Sequence, residues 1–260
     1  MKHNKLLSQV FLKNKYYIEK VVDALDHGRK NILEIGAGEG QISKIIAQKV
    51  KFLYCIEIDP RLAKITKNKL ADQQNTKIIQ ADIRDVSLAK LGKKFVVFSN
   101  VPYYLSANLL EYLIYYRKNI ITNYLILQKE FVNKISAKPG SKSYGFISCL
   151  TQYNGKVKRL FDIPAGAFIP SPKVNSSFIE VKFYQRKPIK AKNEDFLFAL
   201  IKTVFTQRRK KIKTILKQHF SSRAFGSLTN LDLNLDMRPE QISLRDFCKI
   251  SDCLDDFNNF

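Results

Sequence analysis

Ile32-Leu33-Glu34-Ile35-Gly36-Ala37-Gly38-Glu39-Gly40 runs directly into Gln41-Ile42-Ser43-Lys44-Ile45-Ile46-Ala47. A short apolar run, then glycines, then apolar residues at helical spacing (Ile42, Ile45, Ile46) reads as strand, tight loop and helix. Glycines in such a loop let the backbone approach a ligand closely. Their spacing narrows the ligand. A dinucleotide fingerprint puts its third glycine three residues after the second, but Gln41 stands there and Gly40 comes one residue earlier. The chain also lacks G-x-x-x-x-G-K-[ST], which argues against a nucleotide triphosphatase.

The G-x-G-x-G spacing of Gly36, Gly38 and Gly40 suits the S-adenosylmethionine loop of doubly wound methyltransferases. The next apolar run, Phe52–Ile56, ends in Glu57-Ile58-Asp59. A carboxylate at the tip of the second strand can accept both hydroxyl hydrogens of a ribose, and Glu57 is favoured over Asp59 for that task. After Lys77–Gln80 comes Ala81-Asp82-Ile83, where Asp82 is placed to accept from the cofactor's adenine amine. Any one of these acids reads equally well as a loop or cap carboxylate. Three at successive strand ends behind a glycine-rich loop are much less expected by chance.

A fourth apolar run, Phe95–Phe98, leads to Asn100-Val101-Pro102-Tyr103. The Asn100 side-chain oxygen and the Val101 carbonyl can each accept from the exocyclic amine of an adenine, and the Tyr103 ring can stack on the base. Pro102 fixes its own φ and restricts Val101, so the two acceptors converge. Alone, the four residues are more often a strand exit with a turn proline. The upstream loop and acids give them weight.

The strand periods predict Asn31–Ile35, Phe52–Glu57, Lys77–Gln80, Phe95–Ser99, Tyr124–Gln128, Lys158–Ile163 and Ser176–Phe183. Alternation with helical patterns makes the fold class α/β, with a doubly wound, mostly parallel, seven-stranded Rossmann-like sheet. Residues 1–30 form a leading amphipathic segment expected to fold over the cofactor as a lid on a methyltransferase domain of residues 1–185. The charged, proline-bearing Tyr184-Gln185-Arg186-Lys187-Pro188 marks a linker. Residues 186–260 read as a small all-helical, basic, RNA-binding domain.

Ile32–Ala47, Tyr54–Asp59 and Asn100–Ser106 together resemble the rRNA adenine N(6),N(6)-dimethyltransferase family, which includes small-subunit (16S-type) enzymes and the erythromycin-resistance 23S enzymes. The resemblance extends over Ser8-Gln9-Val10-Phe11-Leu12, Gln128-Lys129-Glu130, Tyr144-Gly145 and Ala167–Ser176. Phe205–Lys211 with Thr214-Ile215-Leu216, and Arg238-Pro239-Glu240, are similar to the small-subunit branch in particular. The resemblance implies dimethylation of adenine amines, two adjacent ones, in 16S rRNA of the immature small subunit during ribosome biogenesis. It implies S-adenosylmethionine held by Gln9, Val10, Leu12, Gly36, Ala37, Gly38, Glu57, Ile58, Asp82, Ile83 and Asn100. It implies catalysis at Asn100, Val101, Pro102 and Tyr103, with Phe168 on the other face of the base. Two positions depart from the family: Val10 replaces an Asn or His that helps hold the cofactor's amino-acid end, and Tyr104 replaces a residue that is commonly polar. Two other readings stay open, a 23S resistance-type enzyme and a non-catalytic RNA-binding assembly or transcription factor on the same fold.

The charge agrees with an RNA partner. The 260 residues carry 45 Lys+Arg against 23 Asp+Glu, a formal charge of +22, and such a surface is drawn to phosphate. From Lys182 to Lys217 there are twelve basic residues and two acids. Arg208, Arg209, Lys210 and Lys211 form an unbroken run there beside an amphipathic period (Leu197, Leu200, Ile201, Val204, Phe205), which makes them the candidate RNA contacts. The four cysteines lack a C-x-x-C pair, so neither zinc nor a disulfide framework is expected. Cys248 and Cys253 are expected on an inward-packing helix, and the three histidines are too scattered for metal or triad chemistry. No signal peptide and no apolar run long enough to span a membrane is seen, so a cytoplasmic protein is expected; a monomer without a membrane partner is the expected state.

Overall fold

A parallel strand cannot return to its neighbour without a crossover, and the glycine-rich loop is the start of the first one. In the computed structural model, which describes residues 10–28 and 30–257, seven strands form one sheet. They are β1 (Asn31–Ile35), β2 (Phe52–Glu57), β3 (Thr76–Gln80), β4 (Phe95–Asn100), β5 (Ile120–Gln128), β6 (Gly155–Ile163) and β7 (Ser176–Phe183). Their order is β3-β2-β1-β4-β5-β7-β6. β1 to β5 pair in parallel, and β7 runs antiparallel to β5. The doubly wound, mostly parallel sheet is therefore present with its seven strands.

α1 (Lys15–Ala24) precedes the sheet, and the crossovers use α2 (Gln41–Ala47), α3 (Pro60–Lys69) and α4 (Ser106–Tyr115). Ile32 and Leu33 point to opposite faces, yet both are wholly buried, as a parallel sheet covered on both sides requires. α1 packs Ile18, Val21 and Val22 into one core cluster with Ile42 and Ile46 of α2 and Leu53 and Val96 of the sheet. It is thus a core helix. Among the described residues of the leading segment, Phe11–Leu12 pairs antiparallel with Phe168–Ile169 in a short ribbon outside the main sheet, and the Phe11 ring lies against Gly38 of the loop.

Three strands begin earlier than the sequence suggested, at Thr76, Ile120 and Gly155, and β4 runs one residue further, to Asn100. The early turns of β5 were hidden by Thr122 and Asn123, polar residues that are nonetheless fully buried. Asn123 donates Nδ2 to the Val181 carbonyl of β7 at 3.0 Å, while its Oδ1 and the Thr122 hydroxyl are buried without a hydrogen-bond partner.

The chain divides into two compact units, one of residues 1–132 with 156–183, the other of residues 133–155 with 184–260. The second unit carries α6 (Phe146–Asn154), α7 (Glu194–Thr206), α8 (Ile212–His219), α9 (Ser222–Ser227) and α10 (Leu244–Leu254); α5 (Lys129–Ile135) spans the junction of the two. Its core gathers Tyr144 and Cys149 with Leu197, Ile201, Ile215 and Phe247. After Phe183 the described residues are helical or irregular, without a strand. Cys248 on α10 is buried, whereas Cys253 on the same helix is only half-buried, with its sulfur 3.2 Å from Ser227 Oγ.

Candidate active site

The strand order reverses beside β1: the chain steps outward through β2 and β3, then returns to β4 on the other side. A crevice outside the carboxyl ends of the strands is the expected ligand site at such a switch point. An open crevice of about 880 Å³ lies there, and its walls include Gly36, Gly38, Glu57, Asp82, Asn100 and Tyr103. Of the residues singled out from the sequence, Val10, Ile58, Ile83, Val101, Pro102 and Phe168 also line it. Leu12 and Ala37 border a smaller adjoining crevice instead, together with Glu34, Glu39 and Asn100. Gln9 lies outside the described residues.

The loop explains its glycines. Gly36, Gly38 and Gly40 have φ of 75°, 60° and 70°, a region that L side chains seldom enter. At Gly38 there is a second reason, because a Cβ would stand 2.8 Å from the Phe11 ring. Gly36 has no atom within 4 Å of where its Cβ would be, so its backbone faces open crevice.

Glu57 is held at the base of the loop. Its carboxylate accepts from Gly38 N at 2.8 Å and from Asp59 N at 3.0 Å. A carboxylate has about four lone-pair sites, so each oxygen keeps one for a ligand hydroxyl. Burial pushes the Glu57 carboxyl above its ordinary range, against those two backbone hydrogen bonds. Asp59 has different work. It caps α3 by accepting from Arg61 N at 2.9 Å and pairs with the Arg61 guanidinium at 2.7 Å. Asp82 caps the short turn Ile83–Asp85 in the same way, accepting from Arg84 N at 2.9 Å and from Arg84 Nη2 at 2.6 Å.

Asn100 ends β4, and its Nδ2 donates to the Val10 carbonyl at 2.8 Å. That bond fixes the amide so that its oxygen remains as an acceptor at the crevice. Val10, the departure from the family pattern, therefore takes part through its backbone, while its side chain packs against the core. Val101 N donates to Ile126 O at 3.1 Å, which holds the peptide next to Asn100. Tyr103 opens a short turn, with its hydroxyl buried near Gln128 and Ser176 but in no hydrogen bond of normal geometry. Its ring is left to the crevice. Phe168, 3% exposed, lines the same crevice and pairs with Leu12 in the ribbon. Tyr104, the second departure, is half exposed at the rim.

Two features were not read from the sequence. The ion pair of Lys13 with Glu39 ties the leading segment to the glycine loop. Glu34, inside β1, is 2% exposed, with Cys55 Sγ donating to it across 3.7 Å. Burial pushes its carboxyl from an ordinary 4.5 up to about 7, against the pull of Ser43 and Cys55. A glutamate two residues before a glycine loop looks like any strand residue in sequence; only the pairing with β2 shows it enclosed. The folded state holds this proton more tightly than the unfolded chain does. The stabilisation is therefore complete below pH 4.5 and is lost as pH rises to about 7. At 1.36 kcal/mol per unit it amounts to about 3 kcal/mol at most. Urea titrations of Glu34→Gln and the parent from pH 4 to 8 should show a difference in stability that moves in favour of the variant with rising pH. A difference that stays constant across that range would mean Glu34 titrates normally.

Residues 1–256 match the family model for ribosomal RNA adenine dimethylase. The chain belongs to the ribosomal RNA adenine dimethylase family. It is accordingly an enzyme that methylates adenine in ribosomal RNA. Among curated relatives, ribosomal RNA small subunit methyltransferase A of Legionella pneumophila (strain Corby) is 34% identical over 96% of this chain and 98% of that one. The protein of the same name from Streptococcus thermophilus (strain ATCC BAA-250 / LMG 18311) is 31% identical over 96% of this chain and 91% of its own. Among solved structures, a dimethyladenosine transferase from Plasmodium falciparum superposes with a TM-score of 0.77 at 22% identity, covering 92% of this chain and 95% of that one. The 23S rRNA methyltransferase ErmE gives 0.72 at 19%, covering 94% and 99%. At those identities the two structures speak for the fold. No helix among the described residues is long and apolar enough to cross a membrane.

Proposed function

We propose that this member of the family uses S-adenosylmethionine to dimethylate the exocyclic amine of adenines, two adjacent ones, in 16S rRNA of the immature small subunit, in the cytoplasm during ribosome biogenesis. The observation that carries the chemistry is the Asn100 amide pinned through Nδ2 to the Val10 carbonyl, which leaves its oxygen to accept, on a residue that lines the crevice together with Tyr103 and Phe168. For the small subunit, the support is the name borne by relatives 31–34% identical over nearly their whole length, together with Phe205–Lys211 and Arg238-Pro239-Glu240.

The crevice fits the methyl donor. Gly36 leaves open space where backbone must approach a ligand, Glu57 offers two free lone pairs to ribose hydroxyls, and Asp82 stands beside Ile58 and Ile83 for the adenine end. Val10, Leu12, Ala37 and Gly38 border the amino-acid end. Bound S-adenosylmethionine supplies an activated methyl group on its sulfonium. The protein's share is position. Asn100 Oδ1 and the Val101 carbonyl accept the amine hydrogens and direct the nitrogen lone pair, while Pro102 limits the spread of the two acceptors. Tyr103 and Phe168 take the two faces of a base unstacked from its neighbours. After transfer, the amine nitrogen is acidic enough to give its proton to water, so no general base is required. One N–H remains for the second round.

The basic run of the second unit is proposed to hold rRNA, with a division of labour. Arg208 donates Nη2 to the Lys142 and Tyr144 carbonyls, both at 2.9 Å, and so fastens a loop. Lys211 pairs with Asp236 at 2.8 Å, a partner it shares with Lys213. Arg209 and Lys210 are the better phosphate contacts. Replacing those two with Ala should weaken rRNA binding and flatten the slope of log affinity against log salt by roughly 0.7–0.9 per contact, with cofactor affinity unchanged. An unaltered slope in filter-binding titrations would take this run out of the RNA interface. As to the target, methyl label should pass from S-adenosylmethionine into unmethylated small subunits. Label entering protein-free 23S RNA instead would assign the chain to the resistance-type branch.

A further inference from the structure

Asp59-Pro60-Arg61 and Asp82-Ile83-Arg84 are the same device built twice. Glu57 and Gln80 are register partners at the ends of adjacent strands β2 and β3, so each Asp stands two residues, and each Arg four, beyond a paired position. Both Asp residues are N-caps in extended backbone, at φ −80°, ψ 114° and φ −72°, ψ 132°. Both arginines fold back onto their own Asp through three donors. Arg61 uses N at 2.9 Å, Nε at 3.2 Å and Nη2 at 2.7 Å. Arg84 uses N at 2.9 Å, Nε at 3.0 Å and Nη2 at 2.6 Å. The surroundings differ. Asp82 lines the crevice, whereas Asp59 is not among its lining residues.

We infer that Arg84 is a positioning residue for the cofactor: its fork holds the Asp82 carboxylate in one orientation, ionised, so that Asp82 can accept from the adenine amine. The inference rests on reading the crevice as the S-adenosylmethionine site. A planar guanidinium gripping both carboxylate oxygens removes the side chain's rotational freedom before a ligand arrives, and it leaves the carboxylate's remaining lone pairs pointing away from the fork. The Asp82 side chain is 17% exposed, against 56% for that of Arg84, so the carboxylate faces inward and the cation shields it from the solvent side. Among the described residues, the other charged or titratable groups facing this pair are Asp85 on the same turn and the Tyr104 hydroxyl from the turn after β4, while Glu57 at the end of β2 faces Tyr104. Burial holds the Tyr104 hydroxyl above its ordinary range. The Arg84 contact holds the Asp82 carboxyl below the usual carboxylate range. Its removal therefore moves protonation of Asp82 upward, towards working pH.

Arg61 is the internal control, since its replacement by Ala breaks the same two side-chain hydrogen bonds, from Nε and Nη2, at a carboxylate off the crevice. S-adenosylhomocysteine, whose adenosine part is the same, serves as the probe in calorimetric titrations between pH 5 and 8 with the parent chain, Arg84→Ala, Arg84→Lys and Arg61→Ala. Arg84→Ala is expected to bind several-fold more weakly at pH 7.5, and its affinity should decline at higher pH than the parent's as acid is added. Arg84→Lys keeps a charge but not a fork, so it should restore the pH profile more fully than the affinity. Arg61→Ala should follow the parent curve, because Glu57 and Asp85 are common to both. Affinities of Arg84→Ala that match the parent at every pH would overturn the inference. So would an equal loss in Arg84→Ala and Arg61→Ala with unshifted pH profiles, since that is the mark of a merely structural role. A parent chain that does not bind the probe at all would overturn the cofactor reading itself, and this inference with it.

Discussion

Asn100→Ala should bind S-adenosylhomocysteine within a few-fold of the parent and yet methylate rRNA roughly 10²–10³-fold more slowly. A loss of that order is typical when one preorganised hydrogen-bonding group is removed from a reacting centre. The amide's orientation sets this outcome. Nδ2 is occupied by the Val10 carbonyl at 2.8 Å, so the side chain enters the crevice as an acceptor, and alanine removes that acceptor without touching Glu57 or Asp82. The substitution also frees the Val10 carbonyl. One half-buried hydrogen bond is worth about 1 kcal/mol, enough to lower Tm by about 2–4 °C in a chain of this size but far too little to explain a thousandfold loss of rate. Thermal melts recorded with the kinetics separate the two effects. A variant that keeps the parent rate would remove the amine clamp from the mechanism.

Glu57→Ala should weaken cofactor binding by about 1–3 kcal/mol, the cost of leaving polar groups without their partners, or roughly 5- to 150-fold in Kd. Two causes act together. The ribose loses its acceptor, and the amides of Gly38 and Asp59 lose the carboxylate that holds the loop closed on β2. Asp59→Ala is the contrasting variant. It deletes a helix cap that accepts from Arg61 N, so about 1 kcal/mol of stability should go while cofactor affinity holds. If calorimetry found the two effects exchanged, with Asp59 controlling affinity and Glu57 only stability, the ribose would belong to Asp59.

The loop, the strand-end acids and Asn100 to Tyr103 were legible because each is set by local chain geometry. A positive φ at Gly36 and Gly38 favours glycine, and the strand ends bring Glu57 and Asp82 to the crevice, although Asp59 beside them caps α3 instead. Phe168 was different. Nothing near it in sequence points to a base, and it was reached only through the family resemblance; its place depends on an antiparallel pairing with Leu12 that spans most of the first unit. The charged linker at 184–188 falls where the second unit resumes, but the membership of residues 133–155 was not visible. It rests on long-range bonds such as Gly140 N to Glu240 O at 2.6 Å and Arg208 to Tyr144 O at 2.9 Å. Arg208 was read as an RNA contact for the same reason. An arginine in a basic run looks free until the fold shows what it holds. Arg84 and Glu34 escaped notice because their chemistry lies in their burial and partners, neither of which one sequence reveals.

The proposed function requires this crevice to present an adenine amine to S-adenosylmethionine twice on the same nitrogen. Its most direct test is a mass spectrum of the nucleosides released from unmethylated small ribosomal subunits after incubation with the protein and S-adenosylmethionine. An adenosine heavier by two methyl groups, absent when Asn100→Ala replaces the parent chain, is the result expected. Adenosine that stays unmodified with the parent chain, or methyl groups recovered on a different base, would contradict it.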